Sequence, residues 1–187
     1  MKCLVALLLT AAALLARDRE TLGRELDNIA RIATAMVDGD VCQRIVTSRA
    51  RDYMLSNPSR DQWAAADNYD VNSNAFTATK KTLIRLSTLA DYPVDVNLWM
   101  PLVPDNSLVH VVIRNKYEMS QFWPWGKLTQ APVPAMVEVL KSGRRITVAE
   151  KAGFVSVLAP VRNSLDEIVG LVEVVSRLEP DARENVK

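Results

Sequence analysis

Glu173 is the one charged residue in the run GLVEVVS at 170–176. A carboxylate in an apolar strand is costly to bury without a partner. Its position therefore implies a solvated or edge location, or pairing with a cation such as Arg114 or Arg162. Those arginines carry forked donors that match a carboxylate, so a small carboxylate or another organic metabolite is the ligand they would take. Asn97, Trp99, His110 and Arg114 stand in two strand-like runs, VDVNLWMPLV and SLVHVVIRN, and Ser156 stands in a third, FVSVLAPVR. Between them, QFWPWG sets Trp123 and Trp125 in a loop without period. Indoles there can stack over a ring, cap a cation or seal the sheet as core.

Chemistry of other kinds is poorly provided for. His110 is the single histidine, and the chain has no G-x-S-x-G elbow, phosphate loop or H-E-x-x-H. An enzyme is not expected. Asp38 and Asp40 flank Gly39 at a helix break, where capping accounts for them. Cys42 is the only cysteine outside the apolar leader, which leaves no intrachain disulfide and no cysteine-based zinc site.

The elements that must position these residues follow from pattern. Of 187 residues, 49% are hydrophobic, enough for one domain with a proper core. The 23 basic and 22 acidic residues are scattered, so nucleic acid is not an expected partner. Residues 1–16 read as a signal peptide or a retained signal anchor. Their uncharged core is shorter than the ~20 residues a membrane span needs. The domain is then periplasmic or otherwise extracytoplasmic, exported or anchored in the inner membrane, with a membrane contact if the segment stays.

Leu22, Leu26, Ile29, Ala33 and Met36 recur at helical spacing and predict a long first helix. Asp38-Gly39-Asp40 ends it, and a second helix is expected from Val41 through Ile45, Val46 and Tyr53 to Asn57-Pro58. Ser59 and Gln62 then have capping-box spacing. A third helix from about Phe76 should end at Tyr92-Pro93. Two strands, the aromatic loop, a short helix ending at Gly143, and three more strands complete the order. Residues 17–178 form one domain, and 179–187 are a polar tail.

Several features in this order resemble the CACHE family, the extracellular PAS-like sensors of bacterial chemoreceptors, kinases and cyclases. They are the helix ending ATAMVDGD, the hairpin, a loop with Tyr117, the helix MVEVLKSGR, and the closing pattern GFVSVLAPVRNS…EIVGLVEVV. The resemblance implies an α+β fold with a PAS/CACHE-like antiparallel five-stranded sheet and the long N-terminal helix packed on one face. It implies a small-molecule-binding sensor in signal transduction, with Tyr117 at the ligand loop and a possible homodimer through the N-terminal helix. Some PAS-like sensors bind heme, so a heme-based gas sensor using His110 is one alternative. An exported structural or interaction protein with a collapsed pocket is another.

Strand parity assigns the faces. A four-residue turn at 104–107 would set Trp99 opposite Val112 and Asn97 opposite Arg114. One face then carries Asp95, Asn97, Trp99, His110 and Arg114. The other carries Val94, Val96, Leu98, Val109, Val111 and Ile113 and should lie on the helices. Ser156 and Glu173 extend the polar wall.

Overall fold

The structure, a computed structural model, describes residues 19–56, 71–113, 115–123 and 129–178. The leader, the Ser59/Gln62 capping box, Arg114, Trp125 and the tail lie outside the described residues. No described helix is long and apolar enough to cross a membrane.

Helix α1 spans Arg19–Met36. Its stripe of Leu22, Leu26, Ile29, Ala30 and Ala33 is buried, while Met36 at its end is 52% exposed. The next two helices are short, α2 at Gly39–Gln43 and α3 at Ser48–Ser56. One continuous helix was expected here. The chain breaks instead at 44–47, where Val46 bridges Val71 and the Thr47 hydroxyl accepts the Ala50 N–H. A β-branched pair and a hydroxyl cap compete well with two more helical turns.

Helix α4, Ser73–Ser87, begins three residues earlier than its apolar pattern because the Asn72 side chain caps it. It ends before Tyr92-Pro93, with Thr88 closing its last turn. Helix α5, Pro134–Ser142, has proline in its first turn and ends on Gly143 at φ 68°, a left-handed conformation that glycine adopts without strain.

The strands are β1 (Asp95–Pro101), β2 (Val109–Ile113), β3 (Ile146–Val148), β4 (Phe154–Arg162) and β5 (Ile168–Arg177). They form one antiparallel sheet in the order β2-β1-β5-β4-β3. This α+β architecture, with a five-stranded antiparallel sheet and the long first helix on one face, is consistent with a PAS-like fold. The outer edge of β2 is met by Gln130, which exchanges two backbone hydrogen bonds of 2.9 Å with Val109. At the other edge, the Gln121 side chain takes the Val148 carbonyl, and the Arg19 guanidinium takes that of Ala149.

Each face of the sheet has its own core. Val94, Val96, Leu98, Met100, Ile113, Val155, Val157, Ala159, Val161, Val172 and Val174 pack with α1, α2 and α4. On the opposite side Trp99, Val109, Leu158 and Leu171 pack with Phe122 of the loop and with Met136, Val139 and Leu140 of α5. The aromatic loop and short helix thus cover the second face.

The first hairpin departs from the expected register. Leu98 pairs with Ile113, but Trp99 pairs with Val111 and Met100 with His110. A bulge between Leu98 and Trp99 absorbs Val112 as an extra residue. The turn is also one residue longer, since the Leu102 N–H donates to the Leu108 carbonyl and Asn106 takes φ 58°. The slip reverses the faces of the distal half of β2. Val109 and Val111 therefore lie on the Trp99 side rather than on the helices. His110 lies opposite Met100, on the helical side.

Candidate functional site

Strand β1 presents Asp95, Asn97 and Trp99 at alternate positions on the face away from α1. Asn97 pairs with Glu173 of β5, and Ser156 of β4 pairs with Val175. These side chains converge because three adjacent central strands each contribute to one face. All of Asp95, Asn97, Trp99, Ser156 and Glu173 are buried, and Glu173 is 0% exposed.

Glu173 sits at the centre of a ring of donors. The Ser156 hydroxyl (3.0 Å) and the Gln121 N–H (2.9 Å) donate to its Oε1. The Ser120 hydroxyl (2.7 Å), the Trp99 indole N–H (3.2 Å) and the Asn97 amide (3.4 Å) donate to its Oε2. Every one of these donors is neutral. Burial pushes the Glu173 carboxyl above its ordinary value, and the donors from Gln121, Ser120, Trp99 and Ser156 offset part of that rise. An edge location does not hold this residue, and among the described residues no guanidinium contacts it. Strand β5 is central. Arg162 is turned to the β4–β5 turn, where it donates to the Asp166 carbonyl at 2.6 Å and pairs with its carboxylate at 3.3 Å.

Asp95 repeats the pattern one step along. Its Oδ1 accepts the Tyr117 N–H at 3.1 Å and its Oδ2 the Met119 N–H at 2.8 Å. Burial raises this carboxyl too; the Met119 and Tyr117 amides and the charge of Lys80 lower it, and Glu118 adds to the rise. Asn97 donates to the Met119 carbonyl at 2.7 Å and accepts the Asn115 N–H at 3.3 Å. The loop is thus fastened through alternate amides, 117 and 119 on Asp95 and 121 on Glu173. The Ser120 hydroxyl also accepts the Phe122 and Trp123 N–H groups at 3.0 and 3.1 Å.

Of the side chains expected in the wall, Asn97, Trp99, Ser156 and Glu173 are brought together. Tyr117 reaches the site through its backbone N–H, while its hydroxyl faces Lys116 Nζ at 3.4 Å. Trp123 is half-buried and packs against the second core. His110 is elsewhere. It is 2% exposed on the helical side, neither ring nitrogen has a hydrogen-bond partner, and burial pushes its imidazole down to about 4, with the nearby Met100 backbone opposing. An axial ligand for a heme on the loop side cannot come from that face.

The pattern alone did not single out Asp95 as a site residue, nor Ser120, Gln121 or Asn115. Asp95 was legible from its parity with Asn97 and Trp99. Ser120 and Gln121 lie in an aperiodic loop that carries no such signal, and Asn115 closes the strand-like run SLVHVVIRN on the parity of the apolar face. Among the described residues, no group of three or more histidine, cysteine, aspartate or glutamate side chains is placed to hold a metal ion. Both carboxylates accept their hydrogen bonds from the protein's own neutral donors, and those donors tie the loop to the sheet.

No model of a known protein family matches the chain, and no curated protein matches it.

Proposed function

We propose that the protein is a small-molecule-binding sensor domain of the extracytoplasmic PAS-like, CACHE type. The observation that carries this reading is the loop over the polar sheet face. It is held by the side chains of Asp95, Asn97 and Glu173, with Phe122 packed in the core beside α5. A ligand enters by exchanging its own hydrogen bonds for those of Ser120 and Gln121, and the loop then closes on it.

The ligand is a small organic metabolite. Two buried carboxylates at the site favour a neutral or donor-bearing compound over a carboxylate. The apolar leader exports the domain or anchors it in the inner membrane, and α1 is the element that carries the response toward it. Because its apolar stripe is spent on the sheet, a homodimer through α1 uses its outer face, where Arg24, Asn28 and Arg31 are exposed.

A second reading is an interaction protein whose pocket has collapsed. It draws support from the same geometry, since Glu173 is saturated by the protein's own donors and Trp99 is 1% exposed. A thermal-shift screen of carboxylates, amines, amides and purines separates the two. The sensor reading expects at least one class to raise the melting temperature, with calorimetry confirming one site. The absence of a shift with every class would leave the collapsed pocket.

A further inference from the structure

Glu173 is fully buried on a central strand, and every group that contacts its carboxyl among the described residues is neutral. Two of these groups belong to the loop, the Ser120 hydroxyl and the Gln121 N–H. Both residues are half-buried, so each meets the carboxyl on one side and solvent on the other. The remaining surroundings are the strand face and the apolar core of Leu158, Leu171 and α5. The loop is thus the layer between Glu173 and water.

The two protonation states fit this enclosure unequally. A neutral carboxyl needs one acceptor for its O–H. The Ser156 hydroxyl, 3.0 Å from Oε1, becomes that acceptor by turning its own hydrogen away. An ionised carboxylate keeps its neutral donors but sets an unpaired charge against an apolar core, the more costly state to bury. Burial accordingly pushes this carboxyl up against the pull of its donors.

Among the described residues, no nearby charge reverses the balance. Asp95, on the same face of β1, is a second buried carboxyl, held by its own loop amides and lowered by the charge of Lys80. Lys116 and Glu118 on the loop, Lys151 beyond β3 and Arg177 at the end of β5 are exposed. Lys151 Nζ stops 3.4 Å from the Ser120 carbonyl, and Arg177 lies over the Phe154 ring. Strand β4 sets Ser156 and Leu158 beside Glu173, and the α5 side chains packed on this core are apolar. His110 is on the other side of the sheet.

We propose that the loop is a proton-linked latch, shut while the Glu173 carboxyl is neutral and loosened when that carboxyl ionises and draws water. The latch needs no ligand, so it stands or falls apart from the sensor reading.

Amide hydrogen exchange on the full chain tests it, with protection taken relative to the intrinsic rate at each pH. Protection at Gln121, Phe122 and Trp123 is expected to fall about threefold or more between about pH 4.5 and about pH 8, and by no more than about tenfold per pH unit, the limit for one proton. Amides of β4 and β5 should change less. Glu173→Gln, neutral throughout, should flatten the loop profile. Should that variant not fold, carbon-13 NMR of the wild-type Glu173 carboxyl reads the same switch, because the loop profile must level off at the midpoint of that titration. Loop protection that is constant or rises with pH overturns the latch. So does a fall of unchanged size in Glu173→Gln, which would move the switch to another group such as Asp95. A profile that levels off away from the carboxyl midpoint overturns it equally.

Discussion

Gly39 lies against the carbonyl of Arg162 so closely that a Cβ there would stand 2.3 Å from the oxygen and 2.8 Å from the Asn163 nitrogen. Both are backbone atoms and cannot rotate away. Beside it, the Asp40 carboxylate accepts the Ser164 N–H at 2.8 Å and its hydroxyl at 3.3 Å. The helix break DGD and the β4–β5 turn RNS, 124 residues apart, therefore form one joint. Gly39→Ala should cost about 1–3 kcal/mol in urea denaturation. Gly23→Ala is the control. Its added Cβ would meet Thr147 at an ordinary 3.5 Å inside α1, and a gain of about 0.5–1 kcal/mol is expected. Equal stability of the two variants would mean that the joint is loose.

Glu173 gives stability a pH dependence of definite sign. Its folded carboxyl is raised above the ordinary 4.5, so the folded state holds the proton longer than the unfolded chain does. The favourable contribution is full below that value, is lost as pH rises through the folded pKa, and is then constant. Glu173→Gln removes the titration. The stability of wild type relative to this variant should fall as pH rises from about 4.5 upward, measured by denaturant titration at each pH. A difference that grows with pH would show that the donors outweigh burial.

Ser120 holds the loop from one side only. Its hydroxyl donates to Glu173 and accepts two loop amides. Ser120→Ala should speed amide exchange at Phe122 and Trp123 by about tenfold, from an opening made easier by about 1.4 kcal/mol. Exchange in β4 and β5 should change far less. Uniform acceleration throughout the sheet would indicate that the loop and the core open as one unit.

His110 carries the opposite pH signature. Its imidazole is pushed down to about 4 from an ordinary 6.5. Stability is therefore lost as pH falls between those values, on the order of 3 kcal/mol in all. The His110→Leu variant lacks this loss and removes two unmet ring nitrogens. It should be at least as stable as wild type at pH 7 and clearly more stable at pH 4.5. A variant less stable at both would assign the imidazole a partner.

How far the sequence was legible differs by element. The two-sided sheet was readable, because Val94, Val96 and Leu98 alternate with Asp95, Asn97 and Trp99, and a period of two leaves no other assignment. The burial of Glu173 was not, because its partners Ser120 and Gln121 come from a loop whose course no periodicity fixes. His110 shows the sharper limit. One bulge residue, Val112, and a turn longer by one residue moved it to the opposite face, and neither leaves a mark in the hydrophobic pattern. The break at 44–47 likewise depends on a long-range pairing of Val46 with Val71 that local spacing does not reveal.

The sheet margins have a consequence for behaviour at high concentration. An open strand edge is a template on which another chain can add, and proteins that lack cover there aggregate. Here the β2 margin is occupied by Gln130, and the three-residue β3 is followed and flanked by groups from Gln121 and Arg19. Gln121 belongs to the same loop that Glu173 fastens. Release of that loop would thus free the Val148 carbonyl for pairing with another chain.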